Sequence, residues 1–228
     1  MAKIILSIII PVFNKWGFTK QALKDLYRLP NNHEIIVLDN GSSDETQSQL
    51  QNSKEIIYVR NNNNFGFAKA SNQGYQISSA PNILFLNNDI RVNHEKINSA
   101  NWTLSILKHC ETSLVGPTMG QLDKDFNFVQ EANKELFGNS YMSGWCLASS
   151  KNIFDKLIIN NYMGPFSEEF GLAYFEDSDL GFRAKQLNIP FKVVDIPVVH
   201  FGKQTSSQLN THKLYSEARK IFINKWKK

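Results

Sequence analysis

Apolar positions along the chain fall into short, nearly unbroken runs separated by polar clusters. Ile4 to Val12 is β-branched and closed by turn residues, the pattern of a strand covered on both faces. Thr19 to Leu29 carries Ala22, Leu23, Leu26 and Leu29 at helical spacing, and Pro30 ends it. Glu34 to Leu38 predicts a second buried strand, Thr46 to Gln51 a helix, and Glu55 to Val59 a third strand. A glycine-punctuated helix, Phe67 to Ser78, then leads to a fourth strand, Asn82 to Leu86. Strands alternating with helices predict an α/β fold with a mostly parallel, Rossmann-like central sheet and right-handed crossovers. In such sheets ligands bind beyond the carboxyl ends of the strands. Asn14, Asp39 to Asp44 and Asn87 to Asp89 stand at those ends.

The second half is less regular. Helices are expected over Trp102 to His109, Asn152 to Leu157, Glu176 to Leu187 and His212 to Trp226. Strands are expected over Ser113 to Pro117, Ser143 to Ala148 and Phe191 to Val194. Gln121 to Gly138 is polar and irregular and reads as a flexible loop. With no low-complexity linker and no repeat, one domain over 1–228 is expected. Residues 1–90 would bind a nucleotide, 91–206 would complete the acceptor and catalytic side, and 207–228 would form a terminal amphipathic helix.

Composition narrows the classes. An apolar share of 42% supplies a real core, and a formal net charge of only +4 argues against a nucleic-acid partner. Two cysteines, Cys110 and Cys146, make neither a disulfide framework nor a four-thiolate zinc site. No apolar run reaches the roughly 20 residues that cross a bilayer. Met1 to Asn14 lacks a small-residue cleavage site and reads as a buried strand rather than a leader, so a cytoplasmic location is expected.

Several side chains could carry chemistry. Asp39 and Asp89 each follow a buried strand; helix capping or turn formation explains either alone, but less easily both at equivalent rims. A carboxylate after Ile83 to Leu86 suits a hard divalent cation, which prefers oxygen donors. Glu176, Asp177 and Asp179 complement a helix start, and Asp179 with Arg183 has the i, i+4 spacing of a surface ion pair. Phe170 to Phe175 ahead of them is mostly apolar, so these acids emerge from a buried approach that suits a general base. His200 closes the apolar run Ile196 to Val199 and would ligate a metal only if Asp89 came close in space. There is no Walker-type phosphate loop.

Taken in order, these clusters resemble the inverting glycosyltransferases of family two, which have the GT-A fold. Ser7 to Asn14 looks like the first strand and base-binding turn, and Val37 to Asp44 like the next motif. Asn63 to Gly74 is similar to the element that lies against the nucleotide-sugar, and Leu86 to Asp89 to a DxD motif with asparagine in its first acidic place. Gly164 to Phe166 through Glu176 to Leu180 and Arg183 resembles the GxFDExFF…EDxDLxxR block, with Ser167 where aspartate is common. His200, Gly202 and Ser206 are similar to the closing histidine-glycine-serine segment. No QxxRW-like segment is present, which argues against a processive polymer synthase.

The resemblance implies a nucleoside-diphosphate sugar donor, UDP- or dTDP-linked, and a glycan, glycolipid or glycoprotein acceptor of the bacterial surface. Asp39 would meet the base beside Pro11, Val12 and Asn14; Asp44 and Asn72 would support the nucleotide, Asn87 would face the ribose, and Asn88 would join the nucleotide-sugar site. Asp89, with His200, would hold Mn²⁺ or Mg²⁺ across the phosphates, and Asp177 would be the base, supported by Glu176, Asp179 and Arg183. The terminal helix would pack on its own domain or present a basic amphipathic face to a membrane. A sugar nucleotidyltransferase would want a glycine-rich basic loop after the first strand, which Pro11 to Gly17 does not supply. The asparagine at 87 also admits a degenerate domain that binds without turnover.

Overall fold

The computed structural model describes residues 3–30, 32–96, 101–202 and 210–227; Ser206 lies outside them. The first half runs β1 (Leu6–Val12), α1 (Trp16–Leu26), β2 (His33–Asp39), α2 (Thr46–Leu50), β3 (Ile57–Arg60), α3 (Gly66–Ile77), β4 (Asn82–Leu86) and β5 (Ile90–Val92). It continues with α4 (Trp102–Leu107), β6 (Leu114–Gly116), β7 (Met119–Leu122), β8 (Phe128–Ala132), β9 (Ser140–Met142) and β10 (Cys146–Ser150). Then come α5 (Lys151–Asp155), a single 3₁₀ turn at Glu168–Phe170, α6 (Glu176–Gln186), β11 (Phe191–Val193), β12 (Val198–His200) and α7 (Thr211–Trp226).

A seven-stranded sheet in the order β11-β6-β10-β4-β1-β2-β3 forms the centre. β1 pairs in parallel with β2 and β4, and β2 with β3, so the carboxyl ends of the first four strands share one rim. β10 enters antiparallel between β4 and β6. The strands read as continuous apolar runs because both faces are covered. Ile8, Ile10, Val37 and Leu84 meet α1 and α4 on one side, whereas Ile9, Ile36, Leu38 and Phe85 meet α3, α5 and α6 on the other. Each such side chain contributes about 1.5–3 kcal/mol of burial.

Two expectations need correction. The segment 121–138 is not a loop: β8 pairs with β7, which also pairs with β9, making a three-stranded antiparallel sheet. Phe128 and Val129 are half exposed on this outer strand, so β8 has no buried face to leave a period-two signature. The Asp179–Arg183 pair does form, but it is buried rather than on the surface. Elsewhere the predicted elements are present with ends shifted by a few residues, and the Ser143-Gly144-Trp145 stretch proves to be a break between β9 and β10.

α7 seats its apolar side on the domain. Phe222 is fully buried, within 5.0–5.1 Å (ring centroids) of Phe126, Phe175 and Phe182. Among the described residues no helix is long and apolar enough to cross a membrane.

Candidate active site

The rim of the parallel strands is built by hydrogen bonds between its loops. Asn14 and Lys15 both have left-handed backbone (φ 56° and 60°), which turns the chain sharply from β1 into α1. The Asn14 side-chain oxygen accepts from Ser43 N (2.7 Å), and Ser42 Oγ accepts from Asn14 N (2.8 Å), joining the β1 and β2 loops. Asp44 accepts from Trp16 N at 2.9 Å and from Thr46 N and Oγ1 at 3.0 and 2.6 Å, so one carboxylate starts two helices. Burial works against its charge, but these donors outweigh it and hold the Asp44 carboxyl below its usual range.

Asp39 is fully buried. Its Oδ1 accepts from Ser42 N (2.8 Å), and its Oδ2 from the Tyr58 hydroxyl (2.6 Å) and the Arg60 guanidinium. Arg60 also reaches Ser42 O at 2.9 Å. A carboxylate has roughly four acceptor positions, so these three donors leave little of it free in this state. Asn72, equally buried, ties α3 to the segment ahead of the 3₁₀ turn through Phe166 N (3.0 Å) and O (2.9 Å). Asn14, Asp39, Asp44 and Asn72 thus shape the rim and do not line the cleft beyond it.

That cleft has a volume of about 660 Å³. Pro11, Val12, Asn87, Asn88, Asp89, His200, Glu176 and Asp177 all line it. Asn88 is fixed by Thr19 Oγ1 at 2.9 Å. β12 pairs antiparallel with β5, setting His200 opposite Ile90, and His200 Nε2 comes to 3.0 Å from Asp89 Oδ1 and 3.3 Å from the Asn87 amide nitrogen. The imidazole lies flat on the indole of Trp145, with ring centroids 4.7 Å apart and planes 10° apart.

The resemblance to metal-using enzymes can be tested on this donor set. A carboxylate oxygen and an imidazole nitrogen converging on one point suit Mn²⁺ or Mg²⁺. Among the described residues no cluster of three or more such side chains exists, so two protein ligands would leave the other positions to phosphate and water. No lysine or arginine among the described residues lines the cleft, whereas four carboxylates do: Asp89, Glu131, Glu176 and Asp177. A diphosphate would enter this field only with a cation. The residues fit one.

Tyr174 and Phe175, which also line the cleft, carry left-handed backbone (φ 79° and 67°) immediately before α6. Non-glycine residues held this way cost about 1–3 kcal/mol each and cluster at functional sites. The strained turn is gripped by α3: Phe67 N donates to Leu172 O (3.1 Å), and a Cβ on Gly66 would stand 2.4 Å from Gly171 O. It delivers Glu176 and Asp177 into the cleft. Asp177 accepts from Gly144 N (3.0 Å) and Ser178 N (2.7 Å), which aims it. Burial raises its pKa against those bonds, and the Glu131 charge raises it further. Glu176 is raised by burial and then by the Asp177 charge, and its buried Oε2 has no hydrogen-bond partner. An elevated carboxylate in a cleft is suited to proton transfer near neutral pH.

Asp179 faces the opposite way. It is fully buried, takes Ser167 Oγ (2.7 Å) and Arg183 Nε (2.8 Å) on Oδ2, and takes Trp226 Nε1 (2.8 Å) and Lys225 Nζ (2.9 Å) on Oδ1. Burial opposes its charge, but Arg183 and Lys225 hold its carboxyl below the usual range. Arg183 also binds the carbonyls of Leu157 and Pro165. This pair fastens α6, α7 and the 165–167 turn together, away from the cleft.

Residues 7–100 match the family model "Glycosyl transferase family 2". This match and the relatives that follow support a glycosyltransferase of family 2. It is 26% identical to the glycosyltransferase RP339 of Rickettsia prowazekii over 97% of its own length and 72% of the relative's. It is 28% identical to a glycosyltransferase of Rickettsia bellii over 67% of its length but only 20% of that longer protein. S. aureus TarS, residues 1–349, shares its fold with a TM-score of 0.60 at 16% identity, over 90% of this chain and 63% of TarS 1–349. The mannosyltransferase PcManGT of Pyrobaculum calidifontis, in complex with GDP-Man and Mn²⁺, gives 0.54 at 14% identity, over 86% and 58%. At these identities the likeness is one of fold, and the fold is GT-A.

Sequence reasoning missed Glu131, Trp145, Tyr58 and Arg60. Glu131 Oε1 takes both the Trp145 indole N–H (2.8 Å) and the Thr118 hydroxyl (2.6 Å), which places a fourth carboxylate in the cleft. Its signal was the aromatic and β-branched Phe126-Asn127-Phe128-Val129 run just before it, which favours a strand. Tyr58 and Arg60 bore no signal, since only the β2–β3 register puts Arg60 beside Asp39.

Proposed function

We propose that the chain transfers a sugar from a nucleoside-diphosphate sugar, UDP- or dTDP-linked, to an acceptor hydroxyl with inversion at the anomeric carbon. One observation carries this reading: the Asp89–His200 pair and the Glu176–Asp177 pair line a single cleft beyond the parallel strands. Residues 1–90 supply the nucleotide side, with Pro11, Val12, Asn87 and Asn88 lining it; the later elements supply the acceptor side. Asp39 and Asn14 set the shape of the base turn, and Arg60 would have to yield for Asp39 to accept a bond from the base. TarS is described in complex with UDP-GlcNAc and PcManGT with GDP-Man and Mn²⁺, which supports a donor of this class.

Asp89 and His200 would hold Mn²⁺ or Mg²⁺, which when bound neutralises charge on the diphosphate. Asp177 takes the proton of the acceptor hydroxyl as the oxygen bonds to the anomeric carbon. The bond from that carbon to the phosphate oxygen breaks, and the nucleoside diphosphate leaves with the electron pair. Attack from the face opposite the leaving group inverts the centre. Gly144 N–H and Ser178 N–H keep the base oriented. The acceptor is proposed to be a glycan, glycolipid or glycoprotein. Because α7 spends its apolar side on the domain, any membrane contact would fall to the lysines on its outer side.

The test is calorimetric titration with UDP, dTDP and GDP, each with Mn²⁺ and again with EDTA. Metal-dependent binding of one nucleotide is expected and would reduce the donor search to its sugars. No binding by the folded protein would overturn the reading in favour of a degenerate binding domain.

A further inference from the structure

Glu131 has a role that its position in a surface hairpin does not require. Both of its protein donors, Trp145 Nε1 and Thr118 Oγ1, go to the same oxygen, Oε1. A carboxylate held at one oxygen presents the other in a fixed direction, and Glu131 lines the same cleft as Asp177. The holder is itself fixed, since Trp145 is stacked on His200 and also donates to Thr118 Oγ1 at 2.9 Å. Next along β8, Phe128 donates its N–H to the Tyr215 hydroxyl (3.1 Å), and Tyr215 packs on Tyr174 and Phe175 at 5.7 and 5.3 Å. Phe128, Tyr174 and Tyr215 line the cleft as well, making an aromatic wall beside the acids. On the α6 side, Glu176 lines the same cleft, and its buried Oε2 has no hydrogen-bond partner. Aromatic faces beside carboxylates match a sugar ring, apolar on its C–H face and rich in hydroxyl donors at its edge.

We propose that Glu131 and the Phe128–Tyr215 wall form the acceptor subsite, in which Oε2 of Glu131 orients a hydroxyl of the receiving sugar beside Asp177. The proposal rests on the glycosyltransferase reading above. Because Glu131, Glu176 and Asp177 surround this space and no described lysine or arginine lines it, the receiving ring is uncharged or amino-bearing. A uronate or a sugar phosphate would meet like charge from these three carboxylates.

The experiment supplies the nucleotide-sugar selected by titration together with a panel of octyl hexosides, octyl hexosaminides, octyl hexuronides and hexose 6-phosphates. Transfer is expected to the neutral and amino members. Glu131→Gln, which keeps an oxygen for Trp145 and Thr118, should raise KM for the acceptor about tenfold or more through loss of a charged hydrogen bond. KM for the nucleotide-sugar should stay within about twofold. Preference for the uronides or phosphates, or equal shifts in both KM values, would overturn the assignment and reduce Glu131 to a support for Trp145. Nucleotide binding by the same samples reports separately on the donor site, so failure there would count against the glycosyltransferase reading and not against the subsite alone.

Discussion

His200 Nε2 and Asp89 Oδ1 lie 3.0 Å apart although 111 residues separate them in the chain. The pairing of β12 on β5 makes the contact: His200 stands opposite Ile90, and Phe201 N donates to Asp89 O at 2.9 Å. Backbone register therefore fixes the two atoms proposed to hold the cation, and Trp145 fixes the plane of the imidazole.

His200→Ala should weaken nucleotide binding about 10–100-fold in Mn²⁺, the range seen when the support of a metal site is removed. In EDTA, mutant and parent should bind alike. Titration calorimetry under the two conditions checks this, and an equal loss in EDTA would mean that His200 acts by packing on Trp145 alone.

Asp177→Asn should lower transfer by at least about 10²–10⁴, the usual contribution of a positioned base. The nucleotide Kd should change less than twofold, because Asp177 is held by Gly144 and Ser178 and makes no bond to Asp89 or His200. Initial rates alongside titration separate the two effects; surviving transfer would move the base assignment elsewhere.

The pH dependence follows from the raised carboxyls. As the proposed base, Asp177 would work only when ionised, so activity should fall on acidification at a pH well above the ordinary carboxylate range. For stability the sign is opposite. Glu176 and Asp177 bind protons more tightly folded than unfolded, so stability falls as pH rises from about 4 toward their elevated folded values. Glu176→Gln should therefore stabilise the protein near neutral pH and make no difference below about pH 4. Urea midpoints at the two pH values test it.

Asp179→Ala should cost about 3–5 kcal/mol, because it leaves the buried Arg183 guanidinium without its carboxylate. It also strips Trp226 and Lys225 of their shared acceptor and frees α7. By contrast, breaking the exposed Lys213–Glu217 pair on α7 should leave the urea midpoint unchanged.

The sequence by itself determined the parallel half of the sheet and the polar rim, because strands buried on both faces must be apolar at every position and so announce their ends. Asn82–Leu86 was legible to the residue, and with it the polar Asn87-Asn88-Asp89 corner. β8 was not, because a strand exposed on an outer edge gains its stability from pairing with β7, and its apolar Phe128 and Val129 show no alternation to mark a buried face. The acids at the start of α6 mark the limit most clearly. Asp177 and Asp179 are two positions apart, so a helix period of 3.6 sends them roughly to opposite sides. That much is in the spacing. Which side meets the cleft and which meets α7 was decided only when the Tyr174–Phe175 turn docked on α3 and Trp226 found Asp179, since direction in space comes from packing between distant segments.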